Sequence, residues 1–245
     1  MAPRSRGAPV RAASGGWLHG ARDGRLIRAL DQAGLEAAVA ELAARDPYLA
    51  AIVQRFGPPP LWDRAPGFGT LVHIILEQQV SLASARAAYD RLVVATDPLT
   101  PEAFLRLTDA ELLAIGFSHQ KARYGRALSS AILDGSLDLD HLASLDDEAA
   151  QTALESIPGI GQWTSTIYLL MVLGRPDVWP SGDMALSTAV AQATGLPERP
   201  DPEALTLLAE AWRPWRSVAA RLFWHDYLAR RRTRPTAHVQ ADTSL

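Results

Sequence analysis

The sequence predicts an all-α protein, and three observations carry that prediction. Nearly every segment after residue 30 repeats apolar residues at helical spacing. Helix starts and stops are punctuated by Ser, Thr or Asp caps, by Pro at a first helical position and by Gly at the ends. No run alternates apolar and polar residues at the strand period over a useful length. Ten or more short helices joined by short loops follow from these signals.

Taken in order, "GLEAAVAELAARD" repeats alanine and leucine at helical spacing, and Pro47 opens "PYLAAIVQRF". "GPPPLWDRAPG" is a loop. "FGTLVHIILEQQV" reads as an apolar, buried helix, and "SLASARAAYDRLVVAT" starts on Ser81 as N-cap. Thr100 caps "TPEAFLRL", with Pro101 at the first helical position and Glu102 in the first turn. Thr108 opens "TDAELLAIG", which stops at Gly116, and Ser118 opens a longer helix that stops at Gly135. "DDEAAQTALESI" precedes a turn, and "QWTSTIYLLMVLG" follows it, ending at Gly174. "SGDMALSTAVAQATG", with Ser181 or Asp183 as its cap, closes at Gly195. "DPEALTLLAEAW" and "PWRSVAARLFWHDYLARRR" complete the set. Residues 1–34 read as a flexible basic tail, 35–232 as the helical domain and 233–245 as a second flexible tail.

Composition narrows the function. The 245 residues are 48% hydrophobic and 21% charged, enough for a full core in one domain or two packed lobes. With no cysteine there is no disulfide framework, no thiol nucleophile and no cysteine-ligated cluster. No apolar run approaches a membrane span, and the start of the chain lacks the apolar stretch of a secretory signal. A cytoplasmic protein, nucleoid-associated if bacterial, with no membrane partner, is expected. A formal net charge of −3 argues against coating nucleic acid through charge alone, although "RPWRSVAAR", "ARRRTRP" and "HQKARYGR" are locally basic. His73, His119, His141 and His225 show no ligand spacing with carboxylates, so no metal is expected.

The most informative stretch is "IPGIGQWTSTIYLL". Pro158-Gly159-Ile160-Gly161 joins two helices in a tight turn. Glycine there permits positive φ and close approach of another backbone. The N–H groups of Gly159, Gly161 and the first turn after them, with the helix N-terminus, suit a phosphate. Such contacts position a nucleic acid and read no base. The turn's carbonyls offer a place for a monovalent cation, the only cofactor considered. A lone PGxG is common, and its plain reading is a packing corner. Asp183, 22 residues after Gly161, is either a capping residue or a functional carboxylate, and the two roles are compatible. Trp163 and Tyr168 follow the turn directly, whereas Trp212 and Trp224 read as core.

Together, "LESIPGIGQWTSTIYLL…VWPSGDMAL" resembles the helix–hairpin–helix, Gly/Pro-rich loop and aspartate of the HhH-GPD DNA glycosylase superfamily. The nearest branch it resembles is 3-methyladenine DNA glycosylase II, the AlkA type. "IILEQQVSLASARAAYDRL", "GFSHQKARYGRALSSAI" and "AWRPWRSVAARLFWHDY" resemble further segments of that branch, so the likeness spans about residues 35 to 230. It implies two helical lobes with a cleft between them. It also implies a monomer acting on damaged double-stranded DNA in base excision repair. Asp183 matches the family's catalytic aspartate. Trp163 falls where lyase-type relatives carry a Schiff-base lysine, which implies a monofunctional enzyme that leaves an abasic site. Gln79 stands at the wedge position, where the family commonly has leucine. Too little chain precedes residue 35 for the β-lobe of AlkA-type proteins, so the compact version is expected.

The expected site therefore has Asp183 as its catalytic group, with Trp163, Tyr168, Trp215 and Phe68 as walls of the base pocket. Gly159, Ile160, Gly161, Gln162, Thr164, Gln78, Gln79, Ser81 and Arg216 are the expected DNA contacts, with Arg213 and Arg221 adding basic character nearby. The expected substrate is a flipped alkylated purine such as 3-methyladenine or 7-methylguanine. Four rivals remain: a glycosylase for deaminated or etheno bases, a non-catalytic DNA-binding module, a lyase using Lys121, the only lysine in the chain, and a helical scaffold with no nucleic-acid role.

Overall fold

The computed structural model describes residues 18–19 and 27–233. Apart from a two-residue antiparallel ladder, β1 (Leu18–His19) with β2 (Ile27–Arg28), the described residues are helix and loop. Thirteen α-helices are found among them. The first seven are α1 (Gln32–Arg45), α2 (Pro47–Phe56), α3 (Phe68–Glu77), α4 (Leu82–Thr96), α5 (Pro101–Arg106), α6 (Asp109–Ile115) and α7 (His119–Leu133). The rest are α8 (Leu139–Leu142), α9 (Asp147–Glu155), α10 (Gln162–Met171), α11 (Met184–Thr194), α12 (Pro202–Ala209) and α13 (Arg216–Thr233).

The helices pack as two groups. The middle of the chain, α3 to α7 with α9 and α10, packs on itself, and α1, α2, α11 and α13 pack together from the two ends of the chain. Buried Arg221 of α13 helps join them. Its Nε–H donates to Leu61 O at 2.8 Å and its guanidinium to Leu170 O at 2.8 Å. It closes backbone carbonyls in the interior and cannot reach a phosphate, contrary to its expected place in a basic DNA face. Burial pushes its pKa down to about 10.

The caps behave as the sequence requires. Ser81, Thr100, Thr108 and Ser118 each accept a backbone N–H three residues on, and Thr108 forms a full capping box with Glu111. Gly116 and Gly195 close α6 and α11 in the left-handed conformation.

Four boundaries differ from the sequence reading. The helix expected to run through Val80 stops at Glu77, because the chain turns out at Gln78 and Gln79 takes φ 57°. Helix α10 ends at Met171 and not Gly174, since Val172 and Leu173 both fold their N–H groups back onto Tyr168 O. Within the acidic stretch, α8 forms on the Asp138 cap. Ordered packing also begins before residue 35. Asp31 caps α1, and buried Leu30 donates its N–H to Gly174 O at 2.7 Å. The remainder of the expected N-terminal tail, and residues 234–245 of the C-terminal one, lie outside the described residues.

Candidate functional site

The turn between α9 and α10 leaves a helix end open. Ten helices have a Ser, Thr or Asp side chain accepting from their first turn, but Gly161 at the N-cap of α10 offers none. The backbone N–H groups of that first turn therefore remain available, with the positive end of the helix dipole behind them. Gly161 and Gln162 are exposed, whereas Ile160 and Thr164 are buried and anchor the turn from below. Ile160 and Thr164 thus hold the turn and do not present side chains to a ligand. Gly159 has φ 92°, and a Cβ there would lie 2.0 Å from the Tyr124 ring. Only glycine fits, because α7 packs an aromatic face flat against the turn.

The α3–α4 connection meets the same turn. Gln78 Nε2–H donates to Gly159 O and to Thr164 Oγ1, both at 2.9 Å. Gln79 is exposed beside it, and Ser81 is an exposed cap bonded to Ser84. Gln78, Gln79, Gln120, Lys121, Tyr124 and the turn itself line a recess of about 470 Å³. The expected contacts Gln78, Gln79, Gly159 and Gly161 are thereby brought together on one surface, with Gln162 next in the chain.

Asp183 meets α10 through Trp163. It is the N-cap of α11, settling the choice between it and Ser181, and its Oδ1 accepts Leu186 N–H at 2.7 Å. Two indoles complete its surroundings. Trp163 Nε1–H donates to Oδ2 at 2.9 Å, and Trp224 Nε1–H donates to Oδ1 at 3.2 Å. All three partners can only donate, so both carboxylate oxygens are held by N–H groups of fixed direction. The loop before Asp183 is stitched to the start of α13: Ser217 N–H donates to Pro176 O, and Ser217 Oγ bonds both Val178 N–H and Val178 O. The carboxylate is thus rigid, half-buried and bordered by the N–H edges of two indoles.

Trp224 is buried in the core, as the sequence led one to expect, but its hydrogen bond to Asp183 was missed. No spacing signal links it to Asp183, since α13 brings it back across 41 residues of chain. Trp212 likewise belongs to the core, packed between Trp179 and Phe223 at ring-centroid distances of 5.2 and 4.9 Å.

Three of the four expected pocket walls are elsewhere. Tyr168 has no solvent exposure, and burial pushes its phenol up to about 12. It follows Trp163 by five residues on α10, which turns it into the core. Phe68 is buried edge-on against Phe104 at 5.9 Å. Trp215 donates to Glu41 Oε2 at 2.8 Å, which ties it to α1. Arg216 is not a free DNA contact either. Its guanidinium grips Asp177 through both carboxylate oxygens and the backbone carbonyl, at 2.6–3.1 Å. Arg213 shares Asp177 and Glu210. Both arginines therefore pin the loop that carries Asp183. Lys121, the only lysine, donates to Leu76 O and Gln78 O, so its amine is engaged at the end of α3.

Among the described residues no group of three or more His, Asp or Glu could hold a metal ion, and no helix is long and apolar enough to cross a membrane.

Residues 72–214 match the model of the HhH-GPD superfamily of base excision DNA repair proteins. YfjP of Bacillus subtilis is 29% identical over 73% of this chain and 65% of its own length. The Mycobacterium tuberculosis protein named "probable bifunctional transcriptional activator/DNA repair enzyme AlkA" is 33% identical over 82% of this chain and 41% of its own length. The chain therefore spans less than two thirds of either relative. A solved DNA-3-methyladenine glycosidase from Bacillus halodurans superposes with a TM-score of 0.66 at 29% identity, over 80% of this chain and 91% of that one.

Proposed function

The chain belongs to the HhH-GPD superfamily of base excision DNA repair proteins, and from that premise we propose that it is a monofunctional DNA glycosylase acting as a monomer on damaged double-stranded DNA. It removes flipped alkylated purines, 3-methyladenine and 7-methylguanine, and leaves an abasic site. The observation that carries this reading is Asp183, a carboxylate fixed by two indole N–H groups and a helix N-terminus.

A base within the duplex stack is out of reach, so the nucleotide must rotate out at a cost of about a few kcal/mol, least for damaged pairs. The open N-terminus of α10 takes a phosphate and offsets part of that cost. Gln79, exposed next to the hairpin, fills the space the base vacates. The glycosidic bond then breaks through an oxocarbenium-like sugar, and Asp183 stabilises the positive charge and orients the attacking water. The leaving base carries a formal positive charge before the bond breaks, so it needs little protonation. Trp163, the partly exposed indole beside Asp183, supplies an electron-rich face for such a cation. Trp163 has no amine, which supports hydrolysis and not lyase chemistry. No cofactor enters this chemistry; a monovalent cation at the hairpin would serve the phosphate contact alone.

The test is chromatography of bases released from methylated duplex DNA, with strand integrity read before and after hot alkali. Release of 3-methyladenine and 7-methylguanine, with strands that break only after alkali, is the expected result. Binding without release from alkylated, deaminated or etheno-base DNA would overturn the proposal in favour of a non-catalytic module.

A further inference from the structure

Helix α7 does something that neither the hairpin nor Asp183 explains. Lys121 Nζ sits at the end of α3 and donates to Leu76 O at 2.7 Å and Gln78 O at 2.8 Å. These are carbonyls that the broken helix leaves without an intrahelical partner. Partial burial holds the Lys121 ammonium below its ordinary pKa range. A half-buried charge thus holds a backbone turn.

The next residue in that turn, Gln79, has φ 57°. Among the described residues, only Trp62 and Gln79 take a positive φ without being glycine. Such a conformation persists where its surroundings over-determine it. Here three anchors do so. Lys121 fixes the carbonyls on the α3 side, Gln78 Nε2 is tied to Gly159 O and Thr164 Oγ1, and Ser81 caps α4 immediately afterwards. Three residues along α7, Tyr124 lies on Gly159 itself. One helix face therefore supports both the Gln79 turn and the hairpin.

We propose that Lys121 is a positioning residue for base extrusion: it locks the Gln78–Gln79 turn so that the Gln79 side chain stands in fixed register with the phosphate-gripping hairpin. The inference rests on the glycosylase reading for its meaning, but it can fail separately. Without Lys121 the Leu76 and Gln78 carbonyls lose their donor, Gln79 relaxes toward ordinary φ, and its side chain swings out of register. Grip on DNA would survive, because the hairpin N–H groups and Gly159 do not depend on Lys121 directly.

The experiment uses the full chain and a duplex carrying 2-aminopurine beside a tetrahydrofuran abasic analogue, at saturating protein verified by anisotropy. Wild type and Lys121→Arg are expected to brighten the probe, and Lys121→Met to do so with an amplitude at least fivefold lower. Single-turnover release of 7-methylguanine from duplex should fall at least tenfold in Lys121→Met and recover to within threefold in Lys121→Arg. A merely structural role would lower the thermal midpoint and the affinity but leave the amplitude at saturation unchanged. Should Lys121→Met not fold, Lys121→Gln takes its place. Wild-type amplitude in a folded, saturated Lys121→Met complex would overturn the proposal whatever the excision rate. A wild type that brightens the probe but releases no base would overturn the glycosylase reading and leave the positioning role standing. A wild type that neither binds nor brightens overturns both.

Discussion

Changing Asp183 to Asn alters more than charge, and the structure gives the size of the effect. Asparagine is as good an N-cap as aspartate, so Oδ1 keeps Leu186 N–H and Trp224 Nε1–H. The new amide then occupies the position of Oδ2 and faces Trp163 Nε1–H at 2.9 Å. Two donors oppose each other where one bond existed. Hydrogen bonds to charged groups contribute about 1.5–3 kcal/mol, and partial solvent access at Asp183 brings the expected loss to about 1–2 kcal/mol. For a domain of this size that lowers Tm by about 2–8 °C. Replacing Trp163 by Phe removes the opposing donor, so the Asn substitution should cost at least about 1 kcal/mol less in that background than alone. Urea or thermal unfolding of the four proteins reads the coupling. Additive costs, within about 0.5 kcal/mol, would refute the assignment of Trp163 as a partner of the Asp183 carboxylate.

Three further outcomes are expected. Gly159→Ala places a Cβ 2.0 Å from Tyr124 at φ 92°, so urea unfolding should report a loss of at least about 2 kcal/mol, and DNA affinity should fall with it. Arg216→Ala should weaken the fold but leave the salt dependence of DNA affinity unchanged, because its guanidinium is committed to Asp177; a slope reduced by about one would mean that Arg216 contacts a phosphate after all. Tyr168 is raised from 10.0 to about 12, so its contribution to stability is complete below pH 10 and is lost as pH rises toward 12. Unfolding of wild type should weaken by a little over about 1 kcal/mol per pH unit across that window relative to Tyr168→Phe; parallel profiles would contradict it.

What the sequence disclosed was mostly local. Ser81, Thr100, Thr108 and Ser118 announce helix starts because a cap acts within three residues. Pro158-Gly159-Ile160-Gly161 announces the hairpin because the backbone demands glycine there. The roles that depended on distant neighbours were not legible. Arg216 looks like a DNA contact until Asp177 is found across it, and Arg221 until Leu61 and Leu170 take its guanidinium. Tyr168 and Phe68 look like pocket walls until helix phase turns them inward. Trp224 is core, and only α13's return across 41 residues shows that its indole N–H also reaches Asp183. The early end of α3 was hidden for the same reason, since Lys121 stabilises the break from another helix.

The central claim is that the Asp183 carboxylate performs base excision. It is tested most directly by single-turnover release of 3-methyladenine and 7-methylguanine from methylated duplex by wild type and Asp183→Asn, with binding to an abasic-analogue duplex measured alongside. Removing one preorganised electrostatic stabiliser costs about 10²–10³ in rate, so release should fall at least that far while binding stays within a few-fold. Release at the wild-type rate by a folded Asp183→Asn protein would contradict the account.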